Sequence, residues 1–368
     1  MSDSLRHYWI VLSLCLAPIL QAGPRPEVPD PSSVSAYQDF WKTFEDYESH
    51  HRSLEQGKEF GSWDQLKHEW QYQETKQQTA QLDLLEEAAR RYQEHLEKYP
   101  GASNAPYVKL NLAQILQKIG QLRELDSPGS GVDIRREALA LLADVTQQHA
   151  AFDLMEETQY LRATLLESLG QKETALPIWK ALAAQARQSL YGVHAHIAVG
   201  DHYFAKEKPK EALDAYQKGR KLLEKIEVED SDYERLRLQY RITWAAYRAA
   251  ELEICIATAQ ELLEPGRAFK QISVKRRVET DAVELLGDAL FERDNLTETK
   301  STLQKTMLRP YAGAIGLRVM SKLVSMPTRD KLIDLGQFLV ERYPQAKEMP
   351  DILTLLADTY REQKRDED

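Results

Sequence analysis

The amino-acid sequence is poor in cysteine, in long apolar runs and in positive charge. Its 368 residues include two cysteines, Cys15 and Cys255, and 48 Lys and Arg against 58 Asp and Glu. After residue 22 no apolar run reaches the ~20 residues that a membrane span needs. The formal net charge of -10 argues against a nucleic-acid partner, because phosphates need a basic surface. Ala, Leu, Glu, Gln and Lys are spread evenly instead, and this favours continuous helix.

Motifs for catalysis and for cofactors are also missing. His68 opens a stretch like a zinc-protease helix, but Tyr72 stands where the second His ligand is required. Ser130 lies between two glycines in a region typical of a turn, not of an exposed nucleophile. His194 and His196 would point about 200° apart on a helix, so both cannot bind one ion. The sequence therefore predicts no enzyme, no metal site and no cofactor.

The first 22 residues have the order of a secretory signal peptide. Arg6 precedes an apolar core from Trp9 to Leu20, and small Ala22 follows. We expect export, with cleavage after Ala22; an uncleaved anchor is the alternative. Cys15 raises a further alternative, a lipid-modified cysteine, but Leu14 is not the small residue that bacterial lipoproteins have there. Cleavage would leave Cys255 as the one cysteine, so stability must come from packing.

Two segments follow the predicted signal peptide. Four prolines between residues 23 and 34 predict an extended tether. From 35 to 75 we expect an N-terminal helical segment with one aromatic face at helical spacing. That face could cap the first repeat or dock on another protein, and its residues are Tyr37, Phe40, Trp41, Phe44 and Tyr47.

A regular interval marks the rest of the chain. Ala88, Ala138, Ala175 and Ala212 are each followed four residues later by a bulky residue: Tyr92, Leu142, Trp179 and Tyr216. The last two intervals are 37 residues, and the first is 50. We expect the 13 extra residues of that first interval in a turn near residues 126–131. Such a period is typical of stacked helical hairpins, which usually bind rather than catalyse.

Helix ends divide this region into pairs. Tyr-Pro pairs at 99–100 and 343–344 predict the ends of second helices, since proline stops a helix. Between them we predict helical pairs at 104–150, 156–189, 193–226, 233–264, 278–308 and 312–343, with Ala357 and Tyr360 in one further helix.

These residues resemble a tetratricopeptide repeat, a 34-residue helical hairpin. Gly200, Tyr203, Ala212 and Tyr216 match the first four consensus positions of that repeat, at the family's spacing. Weaker matches lie at Ala163, Leu166, Gly170, Ala175 and Trp179, at Ala88, Tyr92 and Pro100, and at Gly287, Leu290 and Leu303. The resemblance implies an all-α fold over residues 76–368, a right-handed superhelical solenoid of antiparallel helix pairs with the N-terminal segment as its cap.

In this family small residues let the two helices of a pair approach closely, and bulky residues fill the space between neighbouring pairs. The resemblance assigns this packing role to Ala88, Tyr92, Ala138, Ala175, Trp179, Gly200, Tyr203, Ala212, Tyr216 and Gly287.

The concave groove of tetratricopeptide arrays is lined by first-helix residues. The resemblance therefore places the following residues in a partner-binding groove: Tyr107, Gln114, Tyr160, Thr164, Glu167, His194, Asp201 and Phe204. The family's clamp for chaperone carboxylates is not expected, because its positions hold Leu110, Gln114, Tyr160, Thr164, Ile197 and Asp201.

Four carboxylates are aligned on one predicted helix. Asp281, Glu284, Asp288 and Glu292 are spaced three, four and four residues apart. They are either a solvated outer face or an acidic groove wall. The groove wall would predict a basic or mixed partner segment.

The sequence as a whole is similar in style to bacterial periplasmic repeat proteins, such as accessory proteins of the Tol-Pal system and of outer-membrane assembly. We expect an exported scaffold or adaptor that binds a protein or peptide segment. The alternative is the N-terminal part of a longer envelope repeat protein, or an accessory subunit of an envelope enzyme or assembly machine.

Overall fold

A computed structural model describes residues 63–185, 189–226, 231–264, 272–327 and 329–363. Within these ranges it contains 14 α-helices and one short 3-10 helix, with no strand, so this part of the chain is all-α. The helices are α1 (Trp63–Lys98), α2 (Ala105–Asp126), α3 (Val132–Gln148), α4 (Met155–Ser168), α5 (Lys172–Ala184), α6 (Leu190–Ala205), α7 (Pro209–Leu223), α8 (Ser231–Arg248), α9 (Leu252–Leu262), α10 (Ile272–Glu292), α11 (Leu296–Leu303), α12 (Ala312–Leu323), α13 (Asp330–Arg342) and α14 (Met349–Glu362).

The predicted signal peptide, the tether and the aromatic helix face of residues 37–47 lie outside the described residues. The chain divides into two compact units, Met1–Ala175 and Leu176–Asp368. In the first unit α1, α2, α3 and α4 pack in chain order. Their core includes Leu85, Tyr92, Leu112 and Leu142, all of which are buried.

In the second unit the helices from α6 to α10 also pack in chain order, and α12 packs on both α10 and α13. In addition α8 contacts α10, and α12 contacts α14, so alternate helices touch as well as consecutive ones. One continuous apolar core joins them, from Val193 and Ile197 to Ile352 and Leu356.

Nine of the ten residues predicted to pack between helices are buried, and the tenth is half-buried. Ala88, Tyr92, Ala138, Ala175, Trp179, Gly200, Ala212, Tyr216 and Gly287 are buried. Tyr203 is half-buried, and the Lys180 ammonium lies 5.2 Å from its ring centroid. A Cβ atom at Gly200 would lie 2.3 Å from Cε1 of Tyr216, and one at Gly287 would lie 2.7 Å from Cγ of Arg318. Glycine is required at both positions because real Cβ atoms do not approach so closely.

The helices lie close to the positions predicted for the pairs, but the extra length of the first interval lies elsewhere than expected. The turn between α2 and α3 holds only residues 127–131, whereas α2 has 22 residues and its counterpart α4 has 14. The expectation of an inserted loop is therefore wrong. The turn is largely exposed but held by hydrogen bonds, since Glu124 accepts from the backbone N–H groups of Gly129 (2.7 Å) and Gly131 (3.3 Å).

Four helix pairs are joined by the same kind of turn. Gly170, Glu207, Ala250 and Asp294 have φ angles of 77°, 57°, 57° and 50°. After each of the first three, the next amide donates to the carbonyl five residues earlier, which is the Schellman arrangement of a helix end. The left-handed conformation costs a non-glycine residue roughly 1–2 kcal/mol. Only the first turn avoids that cost.

We expect Ala250→Gly to increase the free energy of unfolding by about 0.5–1 kcal/mol, because glycine adopts a positive φ without strain. Ala245→Gly, inside α8 and fully buried, is the control and should lower stability by a similar amount or more. Urea unfolding of both variants measures this. A loss of stability in Ala250→Gly would show that the turn is not strained.

A second turn type follows second helices. The segments 99–104, 149–154 and 343–348 each have six residues between two helices and share one hydrogen-bonding pattern. In each the first residue's N–H donates to the helix before it, and its carbonyl accepts from the fourth residue. Tyr99 and Tyr343 thus follow the last residues of α1 and α13, so both predicted Tyr-Pro helix ends are confirmed.

Candidate binding surface of the first helices

The twelve predicted groove residues lie on or next to the first helices of the pairs. Five of them belong to the first unit and seven to the second. Most have partners on a neighbouring element.

In the first unit the predicted groove residues join α2 to the chain around α4. The Tyr107 hydroxyl donates to Asp153 Oδ1 at 2.7 Å, and the Tyr107 ring meets Phe152 edge-on. The Gln114 amide donates to Glu157 Oε1 at 2.6 Å. Tyr160, Thr164 and Glu167 are half-buried on α4, where the Thr164 hydroxyl donates to the Tyr160 carbonyl.

In the second unit three predicted groove residues of α6 pair with α8. His194 Nε2 lies 3.2 Å from Glu234 Oε1. Asp201 accepts two hydrogen bonds from Arg241, at 2.7 and 3.0 Å, and Arg248 lies 4.5 Å from the Phe204 ring centroid. Bidentate pairing of a guanidinium with a carboxylate fixes both distance and orientation.

The α6–α8 pairs have a regular register. His194–Glu234 and Asp201–Arg241 are both separated by 40 residues. The two contacts lie seven residues apart on α6 and also seven residues apart on α8. This is expected of two helices that run side by side in the same direction.

Tyr216 of α7 also binds Asp201, so a third helix contacts the Asp201–Arg241 pair. The Tyr216 hydroxyl donates to Asp201 Oδ1 at 2.6 Å, next to the bond from Arg241. Burial, and then the charge of Asp201, raise the pKa of Tyr216 far above its usual range. Burial lowers the pKa of Arg241, but its hydrogen bonds to Asp201 together with the charges of Asp201 and Glu234 raise it overall. Tyr216 therefore stays a neutral donor and Arg241 a cation.

The four carboxylates of α10 share one side of that helix, but three of them have partners. Asp281 accepts from the Tyr240 hydroxyl at 2.5 Å, and Glu292 accepts from the Tyr247 hydroxyl at 2.7 Å. Burial and these carboxylates raise the pKa of both tyrosines. Glu284 is exposed. The face is thus neither wholly solvated nor wholly free for a partner.

Asp288 differs from the other three because it is 7% exposed and ion-paired. Its oxygens accept from Arg318 at 2.7 and 2.9 Å, and Lys322 lies 3.4 Å away. This carboxylate belongs to the contact of α10 with α12. Reversing all four carboxylates to Lys is therefore not a test of binding alone, since it would also break that contact.

Hydrogen bonds from tyrosine do not neutralise a carboxylate. Arg241 and Arg318 compensate Asp201 and Asp288, whereas no described cation lies within ion-pair distance of Asp281, Glu284 or Glu292. The negative charge that this surface can offer is therefore concentrated on α10.

Sequence reasoning missed the role of α8. In the second unit Glu234, Tyr240, Arg241, Tyr247 and Arg248 of α8 supply partners for five of the seven predicted groove residues. No residue of α8 matched the repeat pattern used in the sequence analysis. The signal that could have found it is the repeated separation of 40 residues between opposite charges.

In the described part of the chain, no group of three or more His, Cys, Asp and Glu could hold a metal ion, and no helix is long and apolar enough to cross a membrane. Cys255 is buried, which raises its thiol pKa to about 12 and makes the thiolate scarce.

Comparison with known proteins does not assign the chain to a family. The chain matches no protein-family model, and no curated protein matches it significantly.

Proposed function

We propose that the chain is an exported, non-catalytic scaffold of the tetratricopeptide type, which binds a protein or peptide segment on its first helices. The finer fold that goes with this proposal is a right-handed solenoid of antiparallel helix pairs. The recurrence of one turn at residues 170, 207, 250 and 294 supports it most. A turn repeated at intervals of 37, 43 and 44 residues is what stacked hairpins need.

The register of α6 and α8 supports the same proposal. In a stack of hairpins the first helices lie beside one another and run in one direction, as the two 40-residue separations indicate. Contacts of α8 with α10 and of α12 with α14 agree with this order. Export, with cleavage after Ala22, is part of the proposal, and the mass of the mature protein tests it.

The partner that fits the second unit is a basic or mixed segment. Three carboxylates of α10 have no described cation within ion-pair distance, and of these Glu284 and Glu292 are exposed. Half-buried Trp244 of α8 offers an aromatic contact. Aromatic residues bury large areas in interfaces, and surface carboxylates steer a basic segment towards them.

A photo-crosslinking residue at position 284 should capture one defined protein in the native cell envelope. The same residue at position 218, which is exposed on α7, should not. With the partner purified, we expect Glu284→Lys combined with Glu292→Gln to weaken binding about tenfold or more, in a salt-dependent way. The glutamine keeps an acceptor for Tyr247.

The matched control combines Glu211→Lys and Glu224→Gln, which changes the charge equally on exposed positions of α7 and beside its end. Equal affinities of the two double variants, with circular dichroism unchanged, would exclude the first-helix surface as the binding site.

A further inference from the structure

A stretch of opposite charge lies in the second unit. Residues 299–329 contain six Lys and Arg and no Asp or Glu, although the whole chain has a net charge of -10. Four of these cations are ion-paired. Lys300 binds Asp334, Arg318 and Lys322 bind Asp288, and Arg329 binds Glu362.

The other two cations, Lys305 and Arg309, are exposed and flank the 3-10 turn Thr306–Leu308. Lys305 donates to the neutral amide oxygen of Gln260 at 2.6 Å. Among the described residues, no carboxylate lies within ion-pair distance of either one.

Arg342, at the end of α13, adds a third cation to this turn. It too is exposed, and no described carboxylate pairs with it. The next residue, Tyr343, donates its hydroxyl to the Leu303 carbonyl at 2.6 Å, so the end of α13 is fixed beside the turn. Burial raises the pKa of Tyr343, and the positive charges of Arg309 and Arg342 both oppose that rise.

We propose that Lys305, Arg309 and Arg342 form a docking surface for an Asp- and Glu-rich segment of a partner protein. The turn is held in place by buried Leu308, by the Tyr343 hydroxyl and by the bond of Lys305 to Gln260. A fixed turn that presents three uncompensated cations lowers the conformational cost of binding. Electrostatic complementarity then selects an acidic partner. Glu341 is exposed next to Arg342 and reduces this positive charge without pairing with it.

This inference does not depend on the first-helix surface, because it uses other residues and needs a partner of the opposite charge. The proposed scaffold would then have a second docking surface, for a partner protein with an acidic segment.

The test uses the full-length mature chain and a fluorescent synthetic peptide of alternating Glu and Gly, about ten residues long, followed by anisotropy. We expect binding that weakens as salt rises, because exposed charges are screened over ~8 Å at physiological ionic strength. The variant with Lys305→Gln, Arg309→Gln and Arg342→Gln should bind about tenfold more weakly, as three exposed ion pairs would predict.

The control with Lys208→Gln, Lys210→Gln and Lys221→Gln removes three exposed cations at and near α7 and should bind the peptide like the wild type. Equal loss in both variants would overturn the proposal, because only net charge would then matter. So would binding to anionic phospholipid vesicles without binding to the peptide, which would assign the surface to a membrane.

Discussion

Replacing Gly200 with alanine should lower the free energy of unfolding by about 2–3 kcal/mol, an unusually large effect for one added methyl group. The new Cβ would lie 2.3 Å from Cε1 and 2.5 Å from Cδ1 of the Tyr216 ring. That ring is 2% exposed, and its hydroxyl is bonded to Asp201, so it has no space into which to move.

Removing the Tyr216 ring should reverse the effect of Gly200→Ala on the free energy of unfolding, from a loss to a gain. Tyr216→Ala alone should cost roughly 3–5 kcal/mol, as other large buried aromatics do. In that background Gly200→Ala should stabilise the protein by up to about 1 kcal/mol, because alanine is the better helix former.

Urea unfolding of the two single variants and the double variant measures this coupling. Gly101→Ala is the control, since nothing lies within 4 Å of a Cβ at that position. Additive costs of the two substitutions would show that α6 and α7 do not meet at Gly200.

Reversing Asp288 to lysine should lower the free energy of unfolding by about 2–3 kcal/mol. The change removes the acceptor of Arg318 and Lys322 and places a third cation between them. Breaking a buried ion pair costs ~3–5 kcal/mol, and the partial exposure of Arg318 reduces that figure.

Glu284→Lys is the matched control, one helical turn earlier on the same helix but exposed. It should change stability by no more than about 0.5 kcal/mol. Thermal unfolding at low and high salt compares the two. A destabilisation in Asp288→Lys no larger than that in Glu284→Lys would mean that the carboxylate does not hold α10 to α12.

The positions of helices were predictable because the signals are local. Small and bulky residues four positions apart, as in Ala212 and Tyr216, mark a helix face, and Tyr343 before Pro344 marks a helix end. The contact of Gly200 with Tyr216 was not predicted, because Tyr216 was expected between neighbouring pairs and its ring lies against α6 of its own pair. The length of α2 was not predictable in this way. The turn lies at residues 127–131, close to the expected 126–131, but the chain from Gly120 to Asp126 continues the helix instead of adding to the turn.

The sequence by itself determined an all-helical fold for the described part of the chain, with small residues such as Gly200 at helix contacts. Only the tertiary structure decided which polar side chains are used. Asp281, Asp288 and Glu292 have the same spacing signal as Glu284, yet two bind tyrosines of α8 and one binds Arg318 of α12. The physical reason is distance along the chain. Spacing on one helix fixes which side chains share a face, whereas the register between helices about 40 residues apart fixes what that face meets.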